Sequence, residues 1–207
     1  MVYNYFGGFM YFLYDSIFHY SNQQYLKIYN RLHHFDKRKV DLLAHDDDKK
    51  LFLVSRILLS KLALKYYDCD FFDLDIYYNK YGKPLTDSFY FNLSHSHDYV
   101  VVACSKNRIG VDIEKIRDVD WKMIDFFCNS YEKKFVLNSK DKNKAFFSLF
   151  CLKEAYFKMI GSSIRNFSDI EFRIHDNRIT CLDNYHLNIY LCCNIDGYVF
   201  TIIEEKY

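Results

Sequence analysis

The stretch Ile109-Gly-Val-Asp-Ile-Glu-Lys115 decides how the chain is divided. Its apolar residues alternate with acids. On a strand, Val111 and Ile113 point into a core while Asp112 and Glu114 share the other face. Two like charges on one face repel unless a cation neutralises them. Further along, Lys153-Glu-Ala-Tyr-Phe-Lys158 lies in a helix-forming run, and Glu154 and Lys158 stand four residues apart on one helix face. Three carboxylates and one ammonium group so placed can hold a hard cation such as Mg²⁺ beside a phosphate, as metal-assisted phosphoryl transfer requires.

The neighbouring segments predict an α+β fold. Phe89 to Leu93 and Tyr99 to Cys104 read as strands around a loop, Ser94 to Asp98. Ser105 to Arg108 is a polar turn, so the halves divide into residues 1–108 and 109–207. In the first half, residues 22–34 read as a helix followed by a polar stretch, Asp36 to Asp48. Lys49 to Tyr67 reads as a longer helix with Leu51, Val54, Leu58, Leu62 and Leu64 near one stripe. Asp75 to Asn79 is a short strand entering the turn Tyr81-Gly-Lys-Pro84. In the second half, Trp121 to Asn129, Ser130 to Leu137 and Lys144 to Ile160 read as helices, with Phe126 and Phe127 in the core. A meander of strands follows, with hairpins at His175 to Asn177 and Asn194 to Gly197. Each half thus combines a long helix with antiparallel strands.

Bulk properties exclude several classes. The 207 residues carry a formal net charge of +1, which gives no general attraction to nucleic acid or to an anionic membrane. No apolar run is long enough to span a bilayer. Val2 to Tyr14 reads as a strand with a Gly7-Gly8 turn, not a signal peptide. Seven cysteines, odd in number and without a C-x-x-C pair, suit free thiols in a reducing cytoplasm.

Three further segments can meet an anion. Phe91-Asn-Leu-Ser-His-Ser96 ends a strand with two hydroxyls and an imidazole, which with backbone N–H groups can cradle a phosphate. It is otherwise a polar loop, and His95 and His97 lack a third ligand for zinc. Pro84 fixes the turn that presents Lys83. Lys37-Arg-Lys39 is a basic run that reads first as a solvated charge run.

Taken in order, Tyr81-Gly-Lys-Pro84, Phe91-Asn-Leu-Ser-His-Ser96, Gly110-Val-Asp-Ile-Glu-Lys115 and Leu152-Lys-Glu-Ala-Tyr-Phe-Lys158 resemble the signature of the surfactin-synthetase-activating type of 4′-phosphopantetheinyl transferase. The resemblance runs from about Lys37 to the C-terminus. It implies a pseudo-duplicated fold of two similar α+β halves in one monomer, with the active site at their junction. It also implies a holo-[acyl-carrier-protein] synthase reaction, in which the phosphopantetheine arm of coenzyme A moves to a serine of an apo acyl or peptidyl carrier protein, releasing adenosine 3′,5′-bisphosphate. Asp112, Glu114 and Glu154 then match the Mg²⁺ ligands, and Glu154 also matches the base for the carrier serine. Lys158 matches a catalytic lysine at the pyrophosphate, while Lys83, Ser94 and His95 match coenzyme A contacts. Lys39 matches a contact to the 3′-phosphate. The first half would hold coenzyme A and the second the metal and catalytic residues.

Two positions depart from the family pattern. Phe150 stands where a tryptophan is usual, which should preserve packing. Gly161-Ser162-Ser163 lacks a basic residue found there, leaving one contact to coenzyme A or the carrier unfilled. An acidic carrier helix would meet Lys115, Arg117, Lys122, Lys133 and Lys134, with Trp121 or Met123 turned toward it. The competing readings are a non-catalytic module that binds a carrier or coenzyme A, and a different Mg²⁺ enzyme such as a phosphohydrolase.

Overall fold

Two long amphipathic helices each bury one face on a sheet, and the two sheets bury their other faces on each other. This arrangement comes from a computed structural model, which describes residues 2–6, 10–161, 166–175, 178–184, 186–192 and 195–206. The elements are β1 (Val2–Phe6), β2 (Met10–Ser16), α1 (Asn22–Arg31), α2 (His34–Leu42), α3 (Asp46–Tyr67), β3 (Tyr77–Tyr78), β4 (Pro84–Leu85), β5 (Tyr90–Ser96), β6 (Tyr99–Ser105) and β7 (Ile109–Lys115). They continue as α4 (Ile124–Phe127), α5 (Ser130–Asn138), α6 (Lys142–Ile160), β8 (Phe172–His175), β9 (Arg178–Cys181), β10 (Leu187–Cys192) and β11 (Tyr198–Glu205).

The first sheet has the order β1-β2-β6-β5, every neighbour antiparallel. Alternation along β6 decides what each face meets. Val100 and Val102 join Leu13, Phe91 and the α3 residues Val54, Leu58 and Leu62 in one core. Val101 and Ala103 turn the other way and meet Val111, Ile113, Phe200 and Ile202 of the second sheet. That sheet is β10-β11-β7, also antiparallel. Its outer face, with Leu187, Val199 and Ile203, packs under Leu149, Leu152 and Ala155 of α6. The layers are therefore α3, first sheet, second sheet and α6.

Local chemistry fixes the helix ends. Asp46, Asp47 and Asp48 occupy the first turn of α3, where the helix dipole favours negative charge. Asp141 caps α6 by accepting from the Lys144 N–H at 2.9 Å, and Gly161 closes it in the left-handed region at φ 66°. Several sequence expectations differ from the structure. Leu64 is exposed, because it lies two residues, roughly 200° of helix, from the buried Leu62. The polar stretch from Asp36 falls largely in helix α2, held by a partly buried Asp36–Arg56 ion pair at 2.8 Å. Phe126 is 73% exposed, since the helix expected across 121–129 breaks into a 3₁₀ turn and the single turn of α4. The Gly7-Gly8, His175 to Asn177 and Asn194 to Gly197 turns lie wholly or partly outside the described residues, as do Ser162 and Ser163.

At one edge β5 and β7 run side by side in the same direction. Polar side chains of β5 bridge them: Asn92 Oδ1 accepts from the Val111 N–H at 2.9 Å, and Ser96 Oγ accepts from the Lys115 N–H at 3.1 Å. On the opposite face of β7, Gly110 lies against α6. A Cβ there would sit 1.9 Å from the Ala155 carbonyl oxygen and 2.4 Å from the Met159 nitrogen. Only glycine permits this backbone contact, which brings Asp112 within reach of the side chains of α6.

Candidate active site at the junction of the halves

Asp112 is the centre of the junction. It points from β7 toward α6 and is 3% exposed. Its Oδ1 accepts from Lys158 Nζ at 2.6 Å and from Ser94 Oγ at 2.8 Å, and Lys158 Nζ also donates to Ser94 Oγ at 2.9 Å. Its Oδ2 is buried without a hydrogen-bond partner among the described residues. A buried orphan oxygen on a carboxylate is costly, so a structure that keeps one has a use for it. Glu114, one pleat further on, accepts from Ser96 Oγ and from Arg117 Nη1, each at 3.3 Å.

These groups line one open cavity of about 340 Å³, whose walls include Ser94, His95, Asp112, Glu114, Phe150, Glu154 and Lys158. A second cavity of about 390 Å³ shares Leu93, Glu154 and Lys158 with it and reaches the turn Tyr81 to Pro84. Glu154 and Lys158 thus stand between the two, half-buried. Burial pushes the Glu154 carboxyl above its ordinary range, the charges of Asp112 and Glu114 add to this, and Lys158 opposes it. Glu114 is raised likewise, first by burial and then by Asp112. His95 is depressed by desolvation and then by the Lys158 charge, which favours the neutral imidazole.

Mutually repelling carboxylates and an orphan oxygen form an all-oxygen donor set that suits a hard divalent cation. The three acids face a common cavity without converging: among the described residues no three His, Cys, Asp or Glu side chains are gathered closely enough to hold a metal as they stand. Lys158 takes up the charge of Asp112 instead.

The other expected residues divide. Ser94 and His95 reach the cavity, but from the extended end of β5 rather than from a loop. Lys83 lines the second cavity, yet its ammonium donates to the carbonyls of Lys158, Met159 and Ile109. Lys39 does not line either cavity; it lies 4.0 Å over the ring of Tyr78, the strand partner of Pro84 in the second cavity's wall. Tyr78 lines a separate cavity of about 370 Å³ beside Phe35 and Phe72. Phe150 packs among Phe127, Phe146, Phe147 and Phe167, as expected for an aromatic there. Lys153 does not face the cleft. It is wholly buried and paired with Glu132 at 2.5 Å, because one residue along a helix turns a side chain by roughly 100° from Glu154. Sequence reasoning quoted Asn92 and Ser96 inside a motif, Ser96 as one of its two hydroxyls, without foreseeing that they bridge β5 to β7, and it gave no role to Asn79, a short polar residue beside the Tyr81 to Pro84 turn.

Comparison with known proteins gives two family matches. A family model described as the 4′-phosphopantetheinyl transferase superfamily matches residues 108–203, and one described as 4′-phosphopantetheinyl transferase, N-terminal, matches residues 18–107. The 4′-phosphopantetheinyl transferase gsp of Aneurinibacillus migulanus is 41% identical over 91 residues, 42% of this chain and 38% of that one. The 4′-phosphopantetheinyl transferase psf-1 of Bacillus pumilus is 38% identical over 88 residues, 40% of this chain and 38% of that one. The 4′-phosphopantetheinyl transferase Sfp of Bacillus subtilis is 30% identical over 135 residues, 62% of this chain and 59% of that one. The matched stretches therefore span less than two thirds of these relatives' own lengths.

Proposed function

The chain belongs to the 4′-phosphopantetheinyl transferase superfamily, and from that premise we propose that it transfers the 4′-phosphopantetheine arm of coenzyme A to a serine of an apo carrier protein, with Mg²⁺, releasing adenosine 3′,5′-bisphosphate. The observation that carries this reading is the meeting of Asp112, Glu114, Glu154 and Lys158 around one cavity, with Asp112 Oδ2 buried and without a hydrogen-bond partner among the described residues. Residues 1–108 supply Ser94 and His95 toward coenzyme A, and residues 109–207 supply the acids and Lys158. Both sets come from one chain, which supports a monomer. Free thiols at Cys69, Cys104, Cys128, Cys151 and Cys181 suit a cytoplasmic enzyme.

The attacked atom is the β-phosphorus of coenzyme A, and the nucleophile is a weakly acidic serine hydroxyl. Glu154 takes the serine proton, a role that its raised proton affinity favours. Lys158 leaves Asp112 and Ser94 to meet the pyrophosphate, where its ammonium offsets charge growing on the leaving oxygen. Ser94 Oγ and the His95 ring N–H donate hydrogen bonds to the phosphates. Asp112, Glu114 and Glu154 would hold Mg²⁺, which supplies charge neutralisation and alignment of the pyrophosphate oxygens when bound. The carrier helix approaches the face bearing Trp121 (39% exposed) and Met123 (45% exposed), with Lys122 exposed between them along the chain and Lys134 exposed on α5.

The direct test is incubation with coenzyme A, Mg²⁺ and a panel of apo acyl and peptidyl carrier proteins, read by intact mass. The carrier gains the mass of the arm; no gain across the panel overturns the reading. A second measurement needs no turnover. For a Kd of about 1 mM, 10 mM Mg²⁺ stabilises the native state by roughly 1.4 kcal/mol. For a chain of this size that is a rise of about 3–6 °C in Tm by thermal denaturation. Asp112→Asn is expected to remove this shift.

A further inference from the structure

The turn between β3 and β4 holds the end of α6 through two side chains. Asn79 Oδ1 accepts from the backbone N–H groups of Tyr81 at 2.9 Å and Lys83 at 3.0 Å, which fixes the turn. Asn79 Nδ2 then donates to the carbonyl of Gly161 at 2.9 Å. Lys83 Nζ donates to the carbonyls of Lys158 at 2.5 Å, Met159 at 3.2 Å and Ile109 at 3.3 Å. Carbonyls in the last turn of a helix have no partner within the helix, and that end carries partial negative charge. A lysine ammonium has three donors, and all three go to these carbonyls. Lys83 is half-buried, and no carboxylate is among its hydrogen-bond partners. Desolvation, with a smaller push from Arg108, lowers its pKa to about 8. The cost of holding a cation there is offset by the end of α6, not by an acidic partner.

The position of this tie matters more than its strength. Lys83 belongs to the first half, while Lys158 and Met159 belong to the helix that carries Glu154. Ile109 begins the strand that carries Asp112. One ammonium therefore fastens α6 and β7 to the first half on the same side as the cavity shared by Glu154 and Lys158.

We propose that Asn79 and Lys83 are positioning residues that fix the end of α6 against β7, setting Lys158 and Glu154 for the reaction, and that the Lys83 ammonium serves this purpose rather than contact with coenzyme A. The proposal rests on the transferase reading for its kinetic consequence alone.

The test combines kinetics with hydrogen exchange. Lys83→Met keeps the length of the side chain and removes the donors. Its kcat for carrier loading is expected to fall at least about tenfold, with KM for coenzyme A within about twofold of the parent. In a Lys158→Ala background the same change is expected to cost clearly less kcat than in the parent, because the part of its effect that passes through that lysine is already gone. Backbone exchange across 155–161 is expected to quicken at least about fivefold while α3 is unchanged. A raised KM for coenzyme A at constant kcat, an undiminished loss in the Lys158→Ala background, or unchanged exchange across 155–161 overturns the proposal. Should Lys83→Met fail to fold, Asn79→Ala gives the milder version: lower kcat, constant KM and faster exchange at the same segment, with unchanged kcat and exchange counting against it. If the parent loads no carrier, the transferase reading fails, and the exchange result still decides whether the tie exists.

Discussion

Glu154→Ala and Asp112→Ala are each expected to lower carrier loading by about a thousandfold or more without unfolding the protein. Losing a general base costs about 10²–10⁴-fold, and losing a ligand of a phosphate-bound cation costs several kcal/mol of transition-state stabilisation. Stability should move the other way. Burial and the neighbouring acids raise the proton affinity of Glu154 in the folded state. Between the ordinary carboxylate range and that raised pKa, the folded protein binds more protons than the unfolded chain, so stability falls as pH rises through this window. Above it, ionised Glu154 is a standing cost. Glu154→Gln removes that cost, so its Tm in EDTA should equal or exceed the parent's at pH 8, and the difference should shrink toward pH 5. Intact-mass loading assays and thermal denaturation at the two pH values check both halves of the statement. A variant that loses activity and also melts well below the parent would mean that Glu154 serves the fold. A group that weakens the fold and is needed for turnover has the signature of a functional residue.

How much of this was legible in the sequence depends on distance along the chain. Spacing of two on a strand and four on a helix placed Asp112 with Glu114 and Glu154 with Lys158, because those periods are properties of the backbone. The order of the four motifs pointed to the family that the comparisons found. Whatever depends on the packing of one half against the other was not legible. Ser94 and His95 looked like loop residues because Ser-His-Ser resembles turn composition, yet pairing with Val101 and Val100 extends the strand through them. Lys83 looked like a free cation because the carbonyls it meets are distant along the chain, Ile109 by 26 residues and Lys158 and Met159 by more than seventy. Gly110 carried a signal that was not used: a glycine inside a strand marks a close approach of backbone, and here the backbone is that of α6. The aromatic pair Phe126-Phe127 divides between solvent and core because a break in the helix, invisible to hydropathy, changes the phase between Trp121 and Cys128.

Lys153 and Glu154 are adjacent, and Lys153→Met is expected to show the opposite behaviour to Glu154→Ala. Lys153 and Glu132 are both 0% exposed. Lys153 Nζ also donates to the carbonyls of Phe127 and Phe167, each at 2.8 Å. Glu132 accepts from the N–H groups of Phe172 at 2.9 Å and Asn129 at 3.0 Å. The pair therefore ties α5, α6, β8 and the 3₁₀ turn Phe167–Asp169 at one buried point. Removing one partner leaves the other charge buried alone, which costs about 3–5 kcal/mol. For a chain of this length that lowers Tm by roughly 6–20 °C. Replacing both charges by apolar side chains is often tolerated in buried pairs. Here it would still strand two N–H groups and two carbonyls, so the double variant Glu132→Leu with Lys153→Met should remain well below the parent. It should nevertheless lose less than the sum of the single losses, with a coupling of about 0.5–3 kcal/mol by chemical denaturation. Simple additivity would show that the two charges do not stabilise each other. Because Lys153 points away from the cavity, folded Lys153→Met assayed well below its Tm should keep kcat within a few-fold of the parent. A thousandfold loss in a folded sample would move Lys153 into the catalytic machinery and overturn the division of labour between these two neighbours.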